Sequence, residues 1–156
     1  VLAASIYVAT RESGVLRTLD DISKSSNVKT KEAYRSYTRI VTELDIKVPL
    51  IDPAKYIIRV ANNLNFDEKA KRKALEILEQ ARKKNILAGK DPIGMAASIL
   101  YLVNQEDGHK SPRTQADIAR VAGVTEVTVR NRSKELRKKL GTSLGRSAPA
   151  KREKTE

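Results

Sequence analysis

The sequence predicts an all-α protein built from two related helical repeats. Helical periodicity runs through most of the 156 residues, and only seven glycines and five prolines interrupt it. Two segments recur. AASIYVATRESG from Ala3 matches AASILYLVNQEDG from Ala96, and LDDISKSSNVKTKEAYRSYTRIVTEL from Leu19 matches QADIARVAGVTEVTVRNRSKEL from Gln115. The offsets of 93 and 96 residues are nearly equal, which indicates a repeated structural unit.

Three helices are predicted in the first repeat, residues 1–48. Val1–Glu12 is apolar and begins without a capping residue, whereas Leu19–Ser25 is short. Thr30–Leu44 follows, with an apolar stripe at helical spacing. The members of this stripe are Ala33, Tyr37, Ile40 and Leu44.

Five helices are predicted in the second repeat, residues 49–141. Asp52-Pro53 and Asp91-Pro92 each begin a helix, because aspartate caps the first N–H groups and proline fits the first helical position. The first repeat matches only the last three of these five helices, so two helices that would precede Val1 are expected to be missing. The other predicted helices are the basic segment Asp67–Asn85, Gln115–Ala122 and Glu126–Leu140.

The composition favours a polyanionic partner and argues against an enzyme. The net charge is +12, and an excess of this size is typical of proteins that bind nucleic acid or acidic proteins. The chain has no cysteine and one histidine, His109, in the polar loop Glu106–Pro112, so we expect neither a metal centre nor a catalytic triad. No apolar run is long enough to predict a membrane helix. Residues 142–156 are polar and basic, and we expect a disordered tail.

Residues 114–140 have the layout of a helix-turn-helix. Gly123 lies at the predicted turn, where a positive φ is needed, and the first repeat has Asn27 at the matching position. Thr125 is placed to cap the second helix. Two short helices joined at a glycine also occur in helical bundles that never contact DNA. The pattern alone therefore leaves a structural role open.

The second helix of this motif presents a polar face that suits DNA. Val127, Arg130, Asn131 and Lys134 lie roughly together at helical spacing, near the helix N-terminus. An arginine there can pair with guanine, and an aliphatic side chain can contact a thymine methyl group. Arg132 and its basic neighbours could hold phosphates, which would set affinity rather than sequence preference.

Residues TEVTVRNRSKEL, preceded by TQADIARVAGV, resemble the second helix-turn-helix of archaeal transcription factor B, of the general transcription factor IIB family. The segment IKVPLIDPAKYIIRVANNL and the repeated AASI helix resemble that family too, so the resemblance covers about residues 1–140. It implies tandem cyclin-like five-helix repeats, the first one truncated, with the helix-turn-helix in the second.

The resemblance also implies a function in transcription initiation. Members bind the TATA-binding protein on promoter DNA and read an upstream recognition element through the second helix-turn-helix. By motif match, Val127 and Arg130 would read bases. The residues that would contact the DNA backbone are Thr114, Gln115, Thr128 and Lys134, and those that would face the TATA-binding protein or downstream DNA are Lys29, Lys31 and Arg35.

Departures from the family pattern limit this expectation. The zinc ribbon that recruits RNA polymerase has no counterpart here, so we expect no cofactor and only weak contact with the polymerase. Ser133 stands where the first repeat has Tyr37, which predicts a looser second helix-turn-helix and a stabilising effect of Ser133→Tyr. An archaeal factor would be cytoplasmic and chromosome-associated. The alternatives are a cyclin-like protein-interaction module and a truncated competitor without initiation activity.

Overall fold

The structure, a computed structural model, describes residues 1–106 and 113–141. Within these residues every regular element is an α-helix, which confirms the predicted all-α fold. The predicted tail and the loop that carries His109 lie outside the described residues. The helices are α1 (Leu2–Glu12), α2 (Leu19–Ser25), α3 (Thr30–Glu43), α4 (Pro53–Asn63), α5 (Glu68–Lys83), α6 (Pro92–Glu106), α7 (Gln115–Ala122) and α8 (Glu126–Leu140).

Side-chain caps explain where several of these helices begin. Thr18 and Asp21 form a capping box at α2, and Thr114 and Asp117 form the same box at α7. The two boxes occupy equivalent places in the two repeats. Asp52 accepts a hydrogen bond from Ala54 N at 3.0 Å, as expected from the Asp-Pro signal at the start of α4.

Helix α6 is the centre of the larger apolar core. It packs against α4, α5, α7 and α8, and ten of its residues are buried. Such wide burial explains why the α6 sequence is apolar around most of its circumference. Its fully buried large side chains include Met95, Ile99, Leu100, Leu102 and Val103.

The first repeat has a smaller core, between α1, α2 and α3. Tyr7 and Tyr37 meet edge to face there, with ring centroids 5.0 Å apart. The outer face of α1 is open, because Leu2 is 74% exposed and Ile6 is also exposed. Their counterparts in α6 by the repeat are Met95 and Ile99, which α4 and α5 help to cover. The outer face of α1 is therefore less covered than the matching face of α6.

The two repeats are joined by polar contacts. Arg59 Nη2 of α4 donates to Asp21 Oδ2 of α2 at 3.1 Å, and Arg11 donates to the carbonyl oxygen of Pro49. The side chain of Thr18 packs so closely on Gly123 that a Cβ there would lie 3.3 Å from it. The turn of the second helix-turn-helix therefore rests on the cap of α2.

Candidate nucleic-acid interface

The helix-turn-helix forms as the sequence predicts. Gly123 has a φ of +74° in the turn between α7 and α8, a conformation that glycine adopts without strain. Asn27 takes the equivalent place in the first repeat with a φ of +51°, which confirms the predicted equivalence of the two turns. Thr125 caps α8 by accepting a hydrogen bond from Thr128 N at 3.2 Å.

One face of α8 is open to solvent over its N-terminal half. Val127 is 55% exposed, and Arg130, Asn131 and Lys134 are exposed too. In the described part of the chain, no hydrogen bond or ion pair engages the last three side chains. The opposite face is buried through Val129, Ser133, Leu136 and Leu140. Val127 and Arg130, the two side chains predicted to read bases, therefore lie on one exposed face of α8.

The two threonines predicted to contact the DNA backbone have structural partners. The Thr114 hydroxyl donates to Asp117 Oδ2 at 2.8 Å within the capping box. The Thr128 hydroxyl lies 2.9 Å from that of Thr125, and a Cβ on Gly94 would lie 2.9 Å from the Thr128 methyl carbon. Thr128 thus lies where α8 closely approaches the start of α6, on a flank of the open face.

Arg132 is held by a carboxylate on its own helix. Its Nη1 lies 3.1 Å from Glu135 Oε2, and Lys139 Nζ lies 2.9 Å from Glu135 Oε1. Lys90, from the segment between α5 and α6, also pairs with Glu135. Hydrogen bonds from Lys90 and Lys139, followed by that from Arg132, lower the pKa of Glu135 to about 2 against the opposing effect of its burial.

The sequence that forms these helices matches a known family. The family model for the transcription factor TFIIB repeat matches residues 1–43 and 46–139. The chain belongs to the TFIIB repeat family. The predicted resemblance is therefore confirmed. Since TFIIB members are transcription factors, the prediction that the chain is not an enzyme is confirmed as well.

Several archaeal members of the TFIIB family are similar to this chain. It is 46% identical over 142 residues to transcription initiation factor IIB of Pyrodictium occultum, covering 91% of this chain and 45% of that protein. It is 46% identical over 146 residues to the factor of Pyrococcus abyssi, covering 92% and 48%. For the factor of Saccharolobus shibatae the identity is 44% over 144 residues, covering 92% and 46%. The chain thus spans about half the length of the relatives it matches.

The first TFIIB repeat presents its own exposed cations on α3. Lys29, the N-cap residue of α3, is exposed, as are Lys31 and Arg35 in its N-terminal half. Tyr34 is exposed as well and occupies the position that Arg130 has in the second repeat. The equivalent positions of the two helices therefore differ in chemistry, with an aromatic side chain on α3 and a cation on α8.

Gln115, the remaining predicted backbone residue, lies half-buried in the first turn of α7. The residue before the TFIIB helix-turn-helix, Arg113, was missed by sequence reasoning. Its Nε donates to Leu64 O at 2.7 Å and its Nη2 to Asn65 O at 2.8 Å, while its guanidinium lies 4.2 Å from the Phe66 ring centroid. These contacts fix the start of α7 against the end of α4. No sequence signal pointed to them, since they join residues almost fifty positions apart.

No cluster of three or more histidine, cysteine, aspartate or glutamate side chains is arranged to hold a metal ion within residues 1–106 and 113–141. None of the helices in the same residues is long and apolar enough to cross a membrane.

Proposed function

We propose that this chain acts as the DNA- and TATA-binding-protein-binding core of a transcription initiation factor. In this function the helix-turn-helix of the second repeat reads an upstream recognition element in the major groove. The first repeat contacts the TATA-binding protein or downstream DNA. The archaeal relatives named transcription initiation factor IIB support this general role.

The main support for this proposal is the exposed face of α8. Val127 and Arg130 lie at the helix end that a helix-turn-helix inserts into the groove, and Arg130 has no competing partner among the described side chains. Arg130 would pair with guanine, and Val127 would contact a thymine methyl group. Lys134 would contact the phosphate backbone from the same face.

The first repeat supplies the second contact surface. Lys29, Lys31 and Arg35 form an exposed basic group on α3, suited to an acidic protein surface or to phosphates. The polar contacts between the repeats hold this group in a fixed relation to α8. Both surfaces can then engage one TATA-binding-protein–promoter complex.

A gel-shift titration tests the proposal. The probe is a promoter duplex with a TATA box and an upstream element selected from a randomised pool, and scrambling that element gives the control probe. We expect weak binding by the chain alone and a supershifted complex that requires the TATA-binding protein, both weaker on the scrambled element. A shift that depends on neither would leave only non-specific binding and would refute the proposal.

Two variants separate base reading from backbone contact. Arg130→Ala is expected to lose about 1–3 kcal/mol on the selected element and much less on the scrambled one. Lys134→Ala is expected to weaken both by similar factors. Equal losses for Arg130→Ala on the two probes would remove the base-reading role.

A further inference from the structure

Glu135 gathers three cations on the flank of α8 that faces the segment between α5 and α6. Arg132 and Lys139 come from one turn on either side of Glu135, and Lys90 comes from 45 residues earlier in the chain. The Glu135 side chain is only 24% exposed, so these pairs are partly shielded from water. Such pairs are screened less by salt than fully exposed ones.

This flank lies beside the reading face of the same helix. Helical spacing places Arg132 and Lys139 about 80–100° away from Asn131 on the helix circumference, at about 100° per residue. A duplex seated on Val127 and Asn131 would bring phosphates past this flank as well as past Lys134. Free cations on the flank would be within range of any duplex, whatever its sequence.

We propose that Glu135 is a specificity-determining residue of the helix-turn-helix, because it occupies the flanking cations and denies them to phosphates. Phosphate contact is thereby confined to the face that also carries Val127 and Arg130. The duplex must then lie where its base edges are read. This inference rests on the proposed DNA-binding function and goes against the expectation that Arg132 contacts the backbone.

Pairing of the flanking cations with Glu135 is expected to weaken non-specific binding to DNA. Each phosphate neutralised by a protein cation adds about 0.9 to the slope of log affinity against log salt, independently of sequence. A cation that already pairs with Glu135 would have to give up that pair to reach a phosphate, which removes most of the gain. The carboxylate of Glu135 is charged at neutral pH, and the same ion pairs lower its pKa to about 2.

Glu135→Gln tests the proposal on the full chain by fluorescence anisotropy. The probes are a 20-base-pair scrambled duplex and the same duplex carrying the selected element, titrated between 50 and 200 mM salt. We expect several-fold tighter binding to the scrambled duplex, a salt slope steeper by about 1 to 2, and a lower ratio of selected to scrambled affinity. In a variant with the urea midpoint of the wild type, unchanged affinity for the scrambled duplex or an unchanged affinity ratio would overturn the proposal.

Glu43→Gln is the matched control. Glu43 pairs with Arg39 at 2.7 Å on α3, so its substitution makes the same change in net charge and frees an arginine away from α8. We expect it to leave the ratio of affinities unchanged. An equal fall in the ratio for both variants would trace the effect to net charge and would refute the role of Glu135.

A second measurement does not depend on Glu135→Gln being stable. The double variant Arg132→Gln/Lys139→Gln removes two positive charges, whereas Lys134→Gln removes one. We expect Lys134→Gln to lower the salt slope by about 0.9. The double variant should lower this slope by a smaller amount, although it removes more charge. A fall of about 1.8 for the double variant would show that both flanking cations contact phosphate, and the proposal would be wrong.

The two proposals fail in different ways. A wild-type chain that binds selected and scrambled duplexes equally refutes the reading function and this inference with it. A wild-type chain that discriminates, combined with an unchanged ratio in Glu135→Gln, refutes only the role assigned to Glu135.

Discussion

Ser23 illustrates how a single buried group can oppose stability. Its side chain is 1% exposed, and its hydroxyl finds no hydrogen-bond partner among the described residues. The equivalent residue in α7 is Ala119, which has no polar group to satisfy. We expect Ser23→Ala to raise the free energy of unfolding by about 1 kcal/mol, because it removes an unpaired hydroxyl and favours the helix. Urea unfolding at pH 7 measures the change.

Ser98→Ala is the control for Ser23→Ala. Ser98 is also buried, but its hydroxyl donates to Gly94 O at 2.7 Å. Its removal therefore gains nothing from an unpaired group, and we expect no stabilisation. If Ser23→Ala behaves like Ser98→Ala, the Ser23 hydroxyl has a partner in solution and the argument is wrong.

Ser133 reverses an expectation drawn from the repeat. The sequence predicted a loose site that a tyrosine would fill, yet Ser133 is 4% exposed and its hydroxyl donates to Val129 O. Nearby, Ser98 Oγ lies 3.3 Å from that same carbonyl oxygen, so α6 and α8 are in close contact. We now expect Ser133→Tyr to cost about 1–3 kcal/mol by overpacking, as measured by urea unfolding. A rise in stability would restore the original expectation.

At the level of single residues, local signals were predictable and distant partners were not. The positive φ of Gly123 and Asn27 followed from residue type at a turn. The pairing of Lys90 with Glu135 and the anchoring of Arg113 on the end of α4 depend on chain folding. Of the three cations around Glu135, only Arg132 and Lys139 could be predicted from the sequence, because they lie at helical spacing from it.

At the scale of the helices, the ion pair between Glu135 and Lys90 connects α8 to the segment between α5 and α6. The folded chain lowers the pKa of this carboxyl from 4.5 to about 2, so its ion pairs stabilise the fold at pH 7. Because the pKa is depressed, this stabilisation is complete above the unfolded value and is lost as the pH falls through about 2. We expect the difference in unfolding free energy between wild type and Glu135→Gln to shrink from pH 7 to pH 3. Urea titrations at both values measure it.

The comparison with Glu135→Gln is needed because other groups also titrate in this range. Asp21 has a lowered pKa too, since hydrogen bonds from Thr18 N and Arg59 outweigh the opposite effect of its burial. A loss of wild-type stability alone would therefore not identify Glu135. A difference that stays constant between the two pH values would show that Glu135 titrates normally.

The boundaries of the helices were largely predictable, for physical reasons that differ between helices. Asp52 and Thr18 cap their helices through contacts within three residues, which are visible in the sequence. Helix α6 reaches Glu106, three residues beyond Val103, where the apolar run of the sequence ends. Nothing in the local sequence NQE sets that end. Burial of Asn104, whose side chain donates to Arg113 O at 2.8 Å, explains part of the extension.

For the whole molecule, the relation between the repeats was the least predictable feature. The internal repeat predicted what each half contains, but periodicity carries no information on how the halves meet. The structure joins them through Asp21 and Arg59, and through Thr18 packed on Gly123. These contacts set the distance between the basic group on α3 and the reading face of α8, on which the proposed function depends.

A double-mutant cycle tests whether Asp21 and Arg59 couple the repeats. Asp21→Asn keeps an acceptor for Thr18 N, so the cycle with Arg59→Gln isolates the ion pair rather than the cap of α2. Since Arg59 is largely buried, we expect a coupling energy of about 1 kcal/mol by urea unfolding. The exposed pair of Asp20 and Lys24, 2.6 Å apart, serves as the reference and should give about 0.3–0.5 kcal/mol.

The same cycle connects stability to function. If the Asp21–Arg59 pair holds the two surfaces in register, Arg59→Gln should weaken the complex formed with the TATA-binding protein by a larger factor than it weakens binding to the selected duplex alone. The duplex alone needs only the second repeat, whereas the ternary complex needs both repeats in a fixed orientation. A coupling energy no larger than that of Asp20 and Lys24, or equal losses in the two binding assays, would show that the repeats are oriented by other contacts.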